Sequence, residues 1–284
     1  MLDKQFSYPT TYQVMTPHHF LLSDGFAPAL LAHAMPARRP MDNMEVGFDR
    51  PQEDEFALCN LGLPSPYMKW AFPNTDASDG ALDLADLPEA DRRRWVAGFR
   101  RFLRRLAFRD PRRQVLKSPT HTARVGALAA AFPGAQFVHI VRDPRAVFPS
   151  TVHTWRQMWG SVAFQEPTFD GVEEYVLSSF ERMYRAFERD RPTLSEGQLH
   201  EVKYEDLIRD PVGEVGKIYE RLGLAGFDRA RPRLADYAAK SKSFRTNTHD
   251  MADDLWQRIA GRWRGYIERY GYAPAAGSEA RVPS

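Results

Sequence analysis

The chain is poor in the residues that build staples, membrane spans and metal cages. Its 284 residues include a single cysteine, Cys59, so no disulfide can close within it and a cysteine-built zinc site is all but excluded. No run of 18 apolar residues occurs, too little for a helix to cross a bilayer. The opening Met1-Leu2-Asp3-Lys4-Gln5 lacks the apolar stretch of a secretory signal. Lysine is scarce: 32 of the 39 cationic residues are arginine. Against 37 acidic residues they leave a net charge of +2, which speaks against a nucleic-acid coat or a polybasic membrane binder. His18 and His19 are adjacent, so their side chains diverge, and no further ligands at suitable spacing make them a metal pair. The expectation is a chain in a reduced, cytoplasmic setting, with no metal, no nucleic-acid partner and no membrane span.

What is present is enough to fold. Hydrophobic residues make up 43% and aromatics 12%, which excludes intrinsic disorder and allows a sizeable core. A single domain over 1–284 is expected. Residues 1–86 form an irregular, proline-rich collar, 87–270 an α/β core with a C-terminal helix, and 271–284 a tail. Nine prolines before residue 80 forbid long helices there, apart from a short one over 23–35. The collar therefore reads as loops and short helices rather than as sheet.

Beyond Leu87 the periodicity sharpens. Pro88 opens a helix that brings Trp95, Phe99, Phe102, Leu103 and Leu106 to one face. Ten arginines between Arg92 and Arg113 read as the solvated side of that region. A short apolar strand over 114–117 follows. Thr120 can then cap a helix that buries Val125, Leu128, Ala129 and Phe132 and stops at Gly134. A second strand over 136–141 ends at Asp143-Pro144, which has the chemistry of a helix start. A long helix over 170–189, a third strand over 200–204, and a helix begun by Asp210-Pro211 and ended by Gly223 complete the series. Strands alternating with helices mean βαβ units and a parallel sheet, whose ligands sit at the carboxyl ends of the strands.

Those ends carry a matched set of groups. After the first strand comes Lys117-Ser118-Pro119-Thr120-His121. After the second comes Arg142-Asp143-Pro144-Arg145, with Ser150 eight residues beyond Arg142. The third runs into Tyr204-Glu205-Asp206-Leu207. On this reading a lysine, an arginine, a hydroxyl near a helix start and a phenol gather along one edge of one sheet. Arginine offers a fork for phosphate oxygens, the helix start adds backbone donors, and Ser150 adds a neutral donor. The set suits a phosphorylated ligand. Taken singly, each residue has a plainer reading: Arg142-Asp143 as a capping ion pair, Lys117 as a solvated strand end, Tyr204 as core.

Taken in order, Lys117-Ser118-Pro119, Phe137-Val138-His139-Ile140-Val141-Arg142-Asp143-Pro144-Arg145 with Ser150, and Val202-Lys203-Tyr204-Glu205-Asp206-Leu207 resemble the sulfotransferases that use 3′-phosphoadenosine 5′-phosphosulfate. The bacterial and protein-tyrosine branch is the nearest in pattern. Pro40-Met41-Asp42-Asn43-Met44 and Pro51-Gln52-Glu53-Asp54-Glu55-Phe56 resemble bacterial members too. The resemblance implies an α/β fold with a P-loop-NTPase-like parallel sheet flanked by helices. It implies 3′-phosphoadenosine 5′-phosphosulfate as co-substrate, and a small-molecule or glycan acceptor with a hydroxyl or amine. Arg142 and Ser150 would bind the 3′-phosphate, and Tyr204 would line the nucleotide site. Lys117 would stabilise charge on the leaving phosphate. Lys242, Ser243 and Arg245, in the basic stretch 240–245, would belong to a late loop over the donor. One part of the pattern is missing: no glycine-rich phosphosulfate loop follows a first strand. The sequence reads as if it begins inside the helix after that loop. Gly213-Glu214-Val215-Gly216-Lys217 lacks the Walker spacing and falls within an expected helix.

Sulfuryl transfer is an in-line displacement, so positioning and charge stabilisation carry most of the catalysis, with a general base to take the acceptor proton. Within the carboxylate run Glu53-Asp54-Glu55, mutual repulsion can raise one pKa, and Glu53 is the favoured base. His121 is its rival, since histidine has a suitable intrinsic pKa. Cys59 reads as a small apolar filler. The missing loop keeps a second function open, a catalytically impaired homologue that acts as a nucleotide-binding or interaction module. A small-molecule kinase would share the sheet type but needs the Gly-x-x-x-x-Gly-Lys-Ser/Thr loop, which the sequence lacks.

Overall fold

In the computed structural model, which describes residues 3–31, 47–75, 79–241 and 251–272, the chain gathers into two units. The first comprises Asp3–Arg124 and Gln157–Thr168; the second comprises Val125–Arg156 and the chain from Phe169 onward.

The first unit opens with strand β1 (Phe6–Ser7) and helices α1 (Thr11–Met15), α2 (Phe20–Ser23) and α3 (Ala27–Leu31). It continues with α4 (Glu55–Asn60), α5 (Met68–Ala71), α6 (Glu89–Arg109), strand β2 (Arg113–Gln114) and a 3-10 segment (Pro119–Arg124). Helix α6 is the one foreseen. Pro88 stands at its N-cap, Glu89 and Asp91 fill its first turn and Arg109 its last, each charge matching the helix dipole. Trp95, Phe99, Phe102 and Leu106 are buried along one stripe, while Leu103 is half-buried. Thr10 begins α1 with a capping box: its hydroxyl accepts from the Gln13 amide, and the Gln13 side chain accepts from the Thr10 amide.

Two expectations fail here. The collar does contribute sheet, because β1 pairs in parallel with β2, Phe6 opposite Arg113 and Ser7 opposite Gln114. A two-residue strand held by backbone bonds and by the contact of Gln114 Nε2 with Ser7 Oγ (2.6 Å) leaves no alternation to read. Thr120 is not a helix cap. Its hydroxyl donates to Glu55 Oε2 at 2.8 Å, and its segment is 3-10 before α7 (Val125–Ala131) begins.

The second unit holds α7, strand β3 (Phe137–Val141), most of α8 (Pro144–Val162), α9 (Val172–Asp190) and strand β4 (Leu199–Lys203). Then follow α10 (Tyr204–Arg209), α11 (Pro211–Arg221), α12 (Phe227–Ser241), α13 (Asp253–Arg262) and α14 (Arg264–Tyr270). Strands β3 and β4 run parallel over five matched pairs, from Phe137 opposite Leu199 to Val141 opposite Lys203. A parallel pair needs a long crossover, which α8 and α9 provide. Trp263 stacks on Phe180 at 3.8 Å between ring centroids and donates its indole N–H to the Leu177 carbonyl, which fastens the C-terminal helices to α9. Asp210 caps α11 by accepting from the Gly213 amide, and Gly223 follows it in the left-handed region (φ 60°), as the sequence pattern required. The Gly213–Lys217 stretch is helical, inside α11.

The strands do not form the one sheet expected. Among the described residues there are two separate parallel pairs, β1 with β2 and β3 with β4. Hydrophobic pattern sets strand existence and the βαβ spacing sets direction; neither says which strand takes which edge. No described helix is long and apolar enough to cross a membrane.

Candidate functional site

In the second unit, the register of β3 and β4 sets the geometry. Val141 is opposite Lys203, so the next residue on each strand, Arg142 and Tyr204, leaves the ladder at the same level. The Arg142 guanidinium consequently lies over the Tyr204 ring, 4.3 Å from its centroid. Both residues are half-buried. Arg142 also lies two residues before α8, a 19-residue helix whose free N–H groups and positive dipole end face that turn. Asp143 supplies the start: its carboxylate accepts from the Arg145 amide at 2.8 Å and pairs with the Arg145 guanidinium at 2.7 Å. Ser150 is half-buried on the same helix. The structure thus brings Arg142 and Tyr204 together and places Ser150 on the helix that Arg142 precedes. A guanidinium beside a helix start has the chemistry of a phosphate site, while Ser150 lies further along, at the seventh residue of α8.

In the first unit, two stretches of sequence interlock: Glu53-Asp54-Glu55 with the run from Lys117 to Arg124. Lys117, exposed, makes an ion pair with Glu53, and the Tyr67 phenol donates to the same carboxylate. Burial and then the Glu53 charge push the Tyr67 phenol well above its ordinary value, so it stays a neutral donor. Asp54, fully buried, accepts from Ser118 Oγ at 3.0 Å and meets His121 Nε2 at 2.7 Å. Burial acts to raise the Asp54 carboxyl, but the His121 charge and the hydrogen bonds from His121 and Ser118 outweigh it and hold the group below its usual value. Glu55, also fully buried, takes Arg124 through both guanidinium nitrogens at 2.6 and 3.2 Å, and accepts from Ser65 and Thr120. Arg124 closes its remaining valences on the Leu82 and Ala81 carbonyls and lies over the Trp95 ring at 4.9 Å.

The three candidate catalytic residues therefore share one network. Lys117 and Glu53 are joined directly, while His121 is bound to the next carboxylate. Its other ring nitrogen, Nδ1, is buried without a hydrogen-bond partner, and the ring stacks near Phe99 at 6.0 Å. Sequence reading missed Tyr67, Ser65 and Arg124. A signal for the last was present: Lys117, Ser118, Thr120, His121 and Arg124 recur at helical spacing, so one polar stripe faces three consecutive acids. Cys59 packs against Met68, with its Sγ 3.4 Å from the thioether, and burial pushes its thiol up to about 11. Lys242, Ser243 and Arg245, like Pro40–Met44, lie outside the described residues. No cluster among the described residues could hold a metal ion.

Comparison with known proteins gives this geometry its context. A model of the Sulfotransferase family matches residues 18–229. The omega-hydroxy-beta-dihydromenaquinone-9 sulfotransferases Stf3 of Mycobacterium bovis and Mycobacterium tuberculosis are each 38% identical over 273 residues, 96% of this chain and 70% of theirs. The crystal structure of sulfotransferase STF9 from Mycobacterium avium aligns with a TM-score of 0.76 at 20% identity, over 94% of this chain and 71% of that one. Sulfotransferase STF1 from Mycobacterium tuberculosis aligns at 0.63 with 18% identity, over 93% and 71%. The two crystal structures show a shared α/β fold, and the sequence match shows more: this chain belongs to the sulfotransferase family and is an enzyme of that family.

Proposed function

We propose that the enzyme transfers a sulfuryl group from 3′-phosphoadenosine 5′-phosphosulfate to a hydroxyl or amine, and that Arg142, Ser150 and Tyr204 bind the donor. The observation that carries this reading is the Arg142 guanidinium held over the Tyr204 ring where the paired strands β3 and β4 end. The residues present fit a phosphate. Arg142 is half-buried, so it faces water weakly, and it stands beside the N-terminus of α8, which carries the hydroxyl of Ser150. A 3′-phosphate there would separate this donor from ordinary adenine nucleotides. On this reading β3 and β4 are part of a P-loop-NTPase-like sheet, and Lys242, Ser243 and Arg245 add further contacts to the nucleotide.

The donor supplies an activated sulfuryl group whose bond to the bridging phosphate oxygen breaks as a bond from sulfur to the acceptor forms. The acceptor proton passes to Glu53. Lys117 donates to the oxygens on which negative charge collects and lowers the barrier electrostatically. The difference in enclosure supports Glu53 over His121 as the base: Glu53 keeps part of its surface open, beside an exposed lysine and a phenol, whereas His121 is tied to the buried Asp54 and its second nitrogen is enclosed. The Stf3 relatives are named for a hydroxylated menaquinone acceptor, which supports a hydroxyl on an apolar molecule as the first acceptor class to try.

The test is transfer from 35S-labelled donor to a panel of long-chain alcohols, phenols, hydroxylated quinols, amines and glycans. Labelled product from at least one hydroxyl acceptor is expected. Glu53→Gln should lower kcat by about 10²- to 10⁴-fold, and Lys117→Ala by about 10²- to 10³-fold. Full activity in Glu53→Gln together with loss in His121→Gln would move the base to His121. Donor binding without turnover on any acceptor would favour the nucleotide-binding module instead.

A further inference from the structure

The turn that carries Arg142 is held by the C-terminal segment. The Arg142 amide donates to the Tyr266 hydroxyl at 2.9 Å, and the same hydroxyl donates to the Arg142 carbonyl at 2.8 Å. One phenol thus satisfies both backbone groups of a residue that has just left the β3 ladder, where strand partners stop. The next residue is held in the same way at one remove. The Asp143 amide donates to Glu205 Oε1 at 2.9 Å, and Glu205 Oε2 accepts from the Tyr272 hydroxyl at 2.9 Å. Neither tyrosine is loose. Tyr266 is 6% exposed, edge-on to Phe180 at 5.0 Å and to Tyr184 at 4.5 Å, and Tyr272 is 8% exposed with Lys203 Nζ 5.2 Å above its ring. Burial pushes the Tyr266 phenol up to about 12, so it is neutral and can donate and accept at once. Both residues lie beyond residue 229, where the family match ends.

We propose that Tyr266, assisted by Tyr272 through Glu205, is a positioning residue for the donor site, fixing the backbone from which Arg142 reaches the 3′-phosphate. The proposal rests on the reading of Arg142 as the 3′-phosphate ligand. Phenylalanine would pack as well at this position, but it could make neither of the two hydrogen bonds to the Arg142 backbone. The C-terminal helix α14 is on this account part of the nucleotide-binding apparatus rather than a brace for the fold.

The experiment is titration calorimetry on the full chain with adenosine 3′,5′-bisphosphate and with adenosine 5′-phosphate. The proteins are wild type, Tyr266→Phe, Tyr272→Phe, Arg142→Ala and the double variant Tyr266→Phe/Arg142→Ala. Tyr266→Phe should weaken bisphosphate binding roughly tenfold, the scale of one or two hydrogen bonds, and leave 5′-phosphate binding within about twofold. Tyr272→Phe should act in the same direction and less, which keeps the test open if Tyr266→Phe does not fold. In the Arg142→Ala background, Tyr266→Phe should cost nothing further, because its effect runs through that side chain. Unchanged bisphosphate affinity in both tyrosine variants overturns the proposal. So does an equal loss with and without Arg142, which is what a purely structural residue gives. If Arg142→Ala itself leaves bisphosphate binding intact, the donor reading falls and this proposal falls with it.

Discussion

Glu55 and Arg124 are both fully buried and face each other through two hydrogen bonds, closed on all sides by Ser65, Thr120 and two backbone carbonyls. Such a pair adds little net stability over apolar residues of the same size, but breaking it strands a charge in a dry interior. Arg124→Met should therefore destabilise the protein by about 3–5 kcal/mol in urea unfolding, while Lys117→Ala, at an exposed position, should change it by less than about 1 kcal/mol. Asp54 gives a pH signature. Its carboxyl is held below the ordinary value in the folded state, so its share of stability is fully present above the ordinary carboxylate range and is lost as pH falls through the folded value. Unfolding free energy should drop on acidification below about pH 4, and Asp54→Asn should flatten that decline; an unchanged acid limb would contradict the assignment. At this scale the sequence showed the acids but not their division of labour. Glu53, Asp54 and Glu55 are chemically alike, and only the partners reached across more than sixty residues distinguish a carboxylate that keeps some exposure from two fully buried ones. Arg124 was masked for a related reason despite its spacing from Lys117, Ser118, Thr120 and His121: in a chain this rich in arginine, one that is buried looks like those that are solvated.

Elements were legible where they are long. Helix α6 shows the apolar spacing that a buried stripe requires, and β3 and β4 read as short strands between helix signals. Helix α11 is bracketed by local chemistry, Asp210 before it and Gly223 after it, so its bounds could be placed almost to the residue. That cap is energetically real: Asp210→Ala removes the acceptor of the Gly213 amide and should lower stability by about 1 kcal/mol in thermal unfolding, with no change in nucleotide affinity. Strand β1 was not legible, since two residues cannot express a period, and its pairing with β2 depends on backbone groups that every sequence has. The 3-10 segment Pro119–Arg124 was misread as a capped helix because a threonine after a proline has the same chemistry whether it turns to its own backbone or, as Thr120 does, to a distant glutamate.

For the whole molecule, the ordered appearance of Lys117, the Arg142–Ser150 pair and Tyr204 was enough to point to the family, although no single motif would have been. Lys117, Arg142 and Tyr204 each follow a strand or a strand-like run, and the alternation of strands with helices supplies the parallel direction that puts such groups at carboxyl ends. How the groups are shared out is a property of the folded chain: Lys117 and Glu53 fall in the first unit, Arg142, Ser150 and Tyr204 in the second. The two units make separable predictions. Changes at Glu53 or Lys117 should show in turnover, and changes at Arg142 or Tyr266 in nucleotide affinity.

The claim beneath all of this is that the ends of β3 and β4 recognise the phosphate on the ribose 3′ position. Calorimetric comparison of adenosine 3′,5′-bisphosphate with adenosine 5′-phosphate on the unaltered chain tests it most directly. The bisphosphate should bind tighter by about a hundredfold, the worth of one or two charge-assisted hydrogen bonds. Equal affinity for the two nucleotides would contradict it.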